Sequence, residues 1–165
     1  MRYFISLVLL LLCHSCISIN QTMPQPLSND TELPKIFRFD IVPTMQSSTL
    51  TELVRLINVE RAKVKAAPVV LSTGLNCAAQ KHANDIGAKK RCTHTGSDGS
   101  SPWDRAKRCG TFANGEIVAC GYQTPAATVK GWYGSSGHRT IMLNPTYTRI
   151  GVGMFNNYWV AIFSK

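Results

Sequence analysis

The chain has 165 residues and a formal net charge of +9, from 18 Lys and Arg against 9 Asp and Glu. This balance favours anionic partners. The basic residues are nevertheless dispersed, with small clusters at 89–91 and 105–108, and no motif that reads a nucleic-acid groove accompanies them. We therefore expect a solvated positive surface that can meet anionic membranes or acidic glycans, and no nucleic-acid partner.

Residues 1–18 have the features of a secretory signal peptide. Arg2 precedes an apolar run over 4–12, and the small residues Cys16 and Ser18 fit the positions before a cleavage site. The run is shorter than the about 20 apolar residues that a transmembrane helix needs. We therefore expect a secreted, extracellular protein, in which cleavage after Ser18 removes Arg2 and lowers the charge from +9 to +8.

Residues 19–47 contain four prolines and no sustained periodicity, which predicts a flexible leader. Within it, Asn20 and Asn29 begin glycosylation sequons. The folded domain is predicted over 48–165. Its first helix should begin at Thr49, where a capping-box pattern ends in Glu52 and apolar residues then recur at helical spacing.

Histidines occur in two of the next segments. A second helix begins near Leu75, and its apolar stripe contains His82. We interpret His82 as a hydrogen-bonded core histidine in preference to a ligand. The polar loop 93–99 contains His94, and such loops commonly carry binding groups. A third helix should begin at Ser101 and Pro102, with serine as the cap and proline in its first turn.

Two more candidate groups follow. Glu116 stands at the head of an apolar run, either as an exposed charge at a strand start or as a buried group with a partner. After a helix capped by Thr124, Gly137 can make a sharp turn that presents His138 for proton or metal chemistry. The chain then ends in a predicted hairpin over 150–163, with its turn at 156–157.

Signal cleavage leaves four cysteines, which in an exported chain indicate two disulfides with three possible connectivities. They are Cys77, Cys92, Cys109 and Cys120. A Cys77–Cys92 bond is disfavoured, because a helix from Cys77 to about 88 carries the chain ~17 Å away. Of the two remaining connectivities, we prefer Cys92–Cys109 with Cys77–Cys120.

Several segments, in this order, resemble the CAP superfamily of cysteine-rich secretory proteins, antigen 5 and pathogenesis-related proteins, also called SCP-like proteins. The similarity is closest to the compact bacterial-type branch and covers the domain but not the leader. The segments are residues 58–61, 79–83, 93–105, 115–117, 131–139, 143–145 and 150–153.

The resemblance implies a single α/β domain, an α-β-α sandwich with a central antiparallel sheet and a wide cleft. It also implies that His94, Glu116 and His138 meet in that cleft, where they could bind Zn²⁺ or another divalent metal. Two positions depart from the family pattern. Ser135 stands where many members have a second glutamate, and Ile117 replaces an asparagine.

The family is associated with binding of lipids, sterols and metals. We therefore expect a monomeric module that binds a hydrophobic small molecule, such as a sterol or fatty acid, and that has no catalytic residues. The alternative is a metal-dependent extracellular hydrolase, either a peptidase or an esterase. That reading lacks a recognisable general base, a nucleophile elbow or a free cysteine.

Overall fold

The computed structural model describes residues 41–165, with side chains from residue 46. The signal peptide, both sequons and residues 19–40 of the leader lie outside the described residues. The described residues form five helices and four strands. In chain order these are α1 (Ile41–Lys63), β1 (Val70–Leu71), α2 (Thr73–Ala88), α3 (Pro102–Arg108), β2 (Gly115–Cys120), α4 (Pro125–Gly134), α5 (Ser136–Met142), β3 (Arg149–Phe155) and β4 (Tyr158–Ser164).

The strands form one sheet in the order β1-β3-β4-β2. β4 is antiparallel to both of its neighbours, whereas the two-residue β1 pairs in parallel with β3. The predicted hairpin is therefore the centre of the sheet. The sequence analysis did not predict β1.

Alternate residues of β4 serve two cores, because successive side chains of a strand point to opposite faces. Trp159, Ala161 and Phe163 pack with residues of α1 and α4, while Val160 and Ile162 pack with α2 and α3. The predicted α-β-α sandwich is confirmed.

Close approach of α2 to the sheet depends on two glycines of β3. A Cβ atom at Gly151 would lie 2.0 Å from the backbone carbon of Leu75, and one at Gly153 would lie 2.5 Å from the backbone of Ala79. A side chain at either position would therefore push the helix away. Glycine in a strand typically marks such a close approach of another element.

The first and fifth helices differ from their predictions. α1 begins at Ile41 and not at the predicted cap, Thr49, and the Thr51 hydroxyl donates to the Ser47 carbonyl inside the helix. Gly137 makes no sharp turn. It lies within α5, which begins directly after α4, so His138 projects from a helix.

Arg61 fixes the chain segment that follows α5. Its guanidinium is fully buried and donates to the carbonyls of Ala67, Met142, Asn144 and Tyr147 at 2.9–3.0 Å. Carbonyls at a helix end have no partner within the helix, so a buried arginine there satisfies them. Arg61 thereby ties α1 to the helix that carries His138.

Both disulfides form, but with a different connectivity from the preferred one. Cys77 pairs with Cys109 and Cys92 pairs with Cys120, so our preference was wrong, and the disfavoured Cys77–Cys92 bond does not form. The reason is tertiary. α3 packs against α2, which brings Cys109 to Cys77, and the chain leaving α2 passes the end of β2.

Candidate functional site

Glu116 is the centre of a buried polar network on β2. Its side chain is 2% exposed, and its Oε2 accepts a hydrogen bond of 2.6 Å from Nη2 of Arg105. Its Oε1 lies 2.8 Å from Nδ1 of His94. Of the two sequence interpretations, the buried group with a partner is the one that the structure supports.

Arg105 reaches Glu116 because α3 begins directly after the loop that carries His94. The Ser101 hydroxyl caps the helix in a capping box with Asp104, which places Arg105 on the inner face of the first turn. From there its guanidinium also donates to the carbonyls of Ser100 at 2.8 Å and His94 at 3.1 Å. Arg105 therefore fixes the loop as well as the carboxylate.

The network sets the tautomer of His94. The Glu116 carboxylate, paired with a guanidinium, is an acceptor, so Nδ1 of His94 carries the proton and donates. In the neutral form of the imidazole, the other ring nitrogen, Nε2, carries the lone pair. Since the His94 side chain is 54% exposed, Glu116 holds a histidine in a defined orientation at the surface.

His138 lies on α5 and is half-buried. Burial, and then the neighbouring charge of His94, lower the pKa of His138. The two imidazoles are therefore close enough to interact electrostatically. His94 and Glu116 share a hydrogen bond, and His138 joins them only through this longer-range interaction.

His82 supports the loop from beneath. It is fully buried, and its Nε2 donates to the Thr93 carbonyl at 2.8 Å, with Oε1 of Glu116 at 3.9 Å. Burial lowers the pKa of His82, an effect that the charge of Glu116 partly opposes. This geometry agrees with the core-histidine interpretation. Thus His82 holds the loop at Thr93, while Arg105 holds it at His94 and at Ser100.

The predicted ligand set fits a three-ligand metal site poorly. Within residues 46–165, no group of three or more His, Cys, Asp or Glu side chains is placed to hold a metal ion. Both oxygens of Glu116 already accept hydrogen bonds, from His94 and Arg105. A carboxylate that binds the second nitrogen of a histidine is typical of an orienting partner behind a metal ligand. Metal binding stays a prediction, with Glu116 in that orienting role.

Sequence reasoning missed Arg105 as a site residue and placed it in a solvated basic cluster. The structure buries it. Charge and spacing gave no signal for burial. The available signal was the resemblance of segment 93–105 to the CAP pattern, because that segment ends at Arg105.

A groove of about 440 Å³ lies between α1 and α4. Its apolar lining comes from Leu56 on α1 and from Val129 and Tyr133 on α4. Ala126 and three charged residues, Glu60, Lys63 and Lys130, complete the lining. Sequence analysis did not locate this feature, because it depends on how the two helices pack. In the part of the chain that the structure describes, no helix has the length and apolar character needed to cross a membrane.

Comparisons with known proteins agree with this architecture. The profile of the cysteine-rich secretory protein family, CAP, matches residues 54–163. The uncharacterised protein YkwD of Bacillus subtilis is 35% identical over 113 residues, which are 67% of this chain and 44% of that protein. The membrane protein YlbC of the same organism is 29% identical over 123 residues, 73% of this chain and 36% of that protein. The chain thus spans less than half the length of these curated relatives.

Two solved structures share the fold. An extracellular protein with an SCP domain from Bacillus anthracis superposes with a TM-score of 0.71 at 21% identity, over 86% of this chain and 45% of that one. An outer surface protein of Borrelia burgdorferi has a TM-score of 0.64 at 24% identity, over 72% of this chain and 92% of that one. With the family profile covering most of the domain, the chain belongs to the CAP family of cysteine-rich secretory proteins.

Proposed function

We propose that this CAP domain is an extracellular ligand-binding module that holds a single-chain amphipathic lipid, such as a fatty acid, in the groove between α1 and α4. The observation that carries the proposal is a partly apolar groove lined by a lysine, Lys130, that has no carboxylate within 4.0 Å among the described residues. An extracellular location is supported by the signal-peptide features of residues 1–18. It is also supported by the extracellular and outer-surface descriptions of the structural neighbours.

The walls of the groove suit an acyl chain. Leu56 is half-buried, Val129 is buried in the core cluster, and Tyr133 is 41% exposed. Removing a methylene group from water contributes about 0.8 kcal/mol, so covering several carbons of a chain along this wall provides the main binding energy. A volume of about 440 Å³ lies within the range of ligand pockets.

The charged residues favour an anionic headgroup. Among the described residues, no carboxylate lies within 4.0 Å of the Lys130 ammonium, whereas Lys63 is paired with Glu60 at 2.7 Å. Lys130 is therefore free to bind a carboxylate. An exposed pair of this kind is worth about 0.2–1 kcal/mol, which corresponds to at most about a fivefold change in affinity.

Titration with a fluorescent polyene fatty acid and with the alcohol of the same chain length tests the role of the apolar wall and the role of Lys130. Leu56→Gln should weaken both ligands, because it makes the wall polar. Lys130→Gln should weaken only the acid, by about two- to fivefold. Lys65→Gln, an exposed lysine outside the groove, is the matched control. No saturable binding, or equal effects of the Lys130 and Lys65 changes on the acid, would contradict the proposal.

A divalent metal at His94 and His138 is a second candidate function. It is supported by the hydrogen bond of His94 Nδ1 to Glu116, which leaves Nε2 as the ring nitrogen available to a metal on a side chain that is 54% exposed. Zn²⁺ should bind more tightly at pH 7.5 than at pH 5.5, since imidazole must be neutral to act as a ligand. His138→Ala should abolish this binding, while Glu116→Gln should weaken it by about 10- to 100-fold, as for an orienting partner.

Calorimetric titration measures each affinity. Equal zinc affinities of the wild type and His138→Ala would reject this site. Lipid capture should survive His138→Ala, because apolar burial holds the lipid. Metal-dependent cleavage of a peptide or ester library that the same substitution abolishes would instead establish the hydrolase alternative.

A further inference from the structure

A cavity of about 530 Å³ lies between the C-terminal end of α2 and the loop 93–99. Its charged lining residues are Asp85, Lys89 and Arg91, and its hydroxyl groups come from residues 93, 95 and 97. None of the charged residues takes part in the Glu116 network or lines the α1–α4 groove. The cavity is therefore a separate candidate site.

The two cations of the cavity are available to a ligand. Lys89 and Arg91 are exposed, and among the described residues no carboxylate lies within 4.0 Å of either. Lys90, a third exposed cation, stands between them in the chain. Adjacent unpaired cations attract an anionic group, and an arginine can bind a carboxylate or sulfate through two parallel hydrogen bonds.

Asp85 narrows the class of ligand. Its carboxylate accepts from the backbone N–H of Ser97 at 2.7 Å and from the Ser97 hydroxyl. These bonds lower the pKa of Asp85, so it is ionised at neutral pH. A bare sulfate or phosphate in the cavity would meet this negative charge. A ligand that carries hydroxyl donors as well as an anionic group can bind the two cations and also donate to the Asp85 carboxylate.

We propose that this cavity binds an acidic saccharide. Its sulfate or carboxylate lies against Lys89 and Arg91, and a sugar hydroxyl donates to Asp85. The cavity volume is within the range of sites for small organic ligands.

The surrounding loop is already fixed, which reduces the entropy cost of binding. Cys92 lies between Arg91 and Thr93, and its disulfide with Cys120 fixes this part of the chain to the end of β2. Asp98 accepts from the backbone N–H of Ser100 at 2.9 Å and from the Arg108 guanidinium. Gly96 is tightly enclosed, since a Cβ there would lie 2.6 Å from the Ser100 hydroxyl.

The experiment uses the mature protein and calorimetric titration at physiological salt. The probes are a sulfated oligosaccharide, a uronic-acid oligosaccharide, a neutral oligosaccharide of the same length, and inorganic sulfate. At least one acidic oligosaccharide should bind more tightly than the neutral one and than sulfate. The tighter of the two identifies the preferred anionic group.

Lys89→Gln with Arg91→Gln should lower that affinity about tenfold, as expected for two exposed charge contacts. Lys65→Gln with Lys107→Gln removes the same charge from exposed positions outside the cavity and should change it less than twofold. Both proteins should unfold at the wild-type temperature and should bind the fluorescent fatty acid as the wild type does. Equal losses in the two double variants, or inorganic sulfate binding as tightly as the saccharides, would overturn the proposal.

Discussion

Replacing Arg105 with methionine tests whether the Glu116 network organises the loop 93–99. The side chains of Arg105 and Glu116 are 7% and 2% exposed, and their charged atoms are 2.6 Å apart. Arg105→Met keeps the apolar stem but leaves the carboxylate buried without its cation. It also removes the donor to the Ser100 and His94 carbonyls, so the loop loses its anchor.

Breaking a buried ion pair by removing one partner costs about 3–5 kcal/mol, because an uncompensated charge stays in the interior. A small domain has only about 5–15 kcal/mol of stability, so the loss should be large and easily measured. Arg108→Met is the matched control. Arg108 pairs with Asp98 at the surface, where the side chains are 58% and 53% exposed, and such pairs contribute about 0–1 kcal/mol.

Guanidinium denaturation under non-reducing conditions gives the free energies of unfolding. Arg105→Met with Glu116→Gln completes a double-mutant cycle and should recover part of the stability lost in Arg105→Met. The His94 ring signals should also shift in Arg105→Met, since the loop and the carboxylate that orient the ring both lose a partner. If Arg105→Met loses stability within 1 kcal/mol of the Arg108→Met control, or if the double variant is no more stable than Arg105→Met, then the buried pair does not stabilise the loop.

Three further predictions follow from the fold and from His82. Non-reducing peptide mapping should find the disulfides Cys77–Cys109 and Cys92–Cys120. In the chain-entropy model each of them stabilises the fold by about 3.5 kcal/mol. Free thiols or a Cys92–Cys109 peptide would contradict this connectivity. Gly151→Ala should unfold at a clearly lower denaturant concentration than Gly137→Ala, because a Cβ meets the Leu75 backbone at 151 and nothing within 4 Å at 137. Burial lowers the pKa of His82, so the folded protein favours the neutral imidazole. The stability that this neutral form contributes is present above the ordinary histidine pKa of about 6.5 and is lost as the pH falls through the lowered pKa. In His82→Gln, the denaturation midpoint should fall less between pH 7 and pH 5 than it does in the wild type. An equal fall in the two proteins would contradict the assignment of this pH dependence to His82.

The elements that were predictable from the sequence are those with local signals. Ser101 and Thr124 cap helices where their side chains were expected to accept from the first turn. The strands of the hairpin alternate between two cores, and this period is visible in the sequence. The resemblance to the CAP family added the sandwich and the meeting of His94 with Glu116.

The features that were missed depend on tertiary contacts. Arg105 is buried because the loop and β2 close over it, and no pattern of charges shows this. The capping-box pattern at Thr49 lies inside a longer helix that begins at Ile41. The disulfide connectivity follows from the packing of α3 on α2, while the α1–α4 groove and the α2 cavity exist only once separate segments are brought together.

A crystal structure of residues 19–165 with a bound fatty acid would show whether the lipid occupies the proposed groove. We expect electron density for the acyl chain between α1 and α4, along Leu56, Val129 and Tyr133, with the carboxylate at the Lys130 ammonium. Density for the acyl chain near His94 and His138, with the α1–α4 groove empty under conditions where solution titration shows saturation, would contradict this placement.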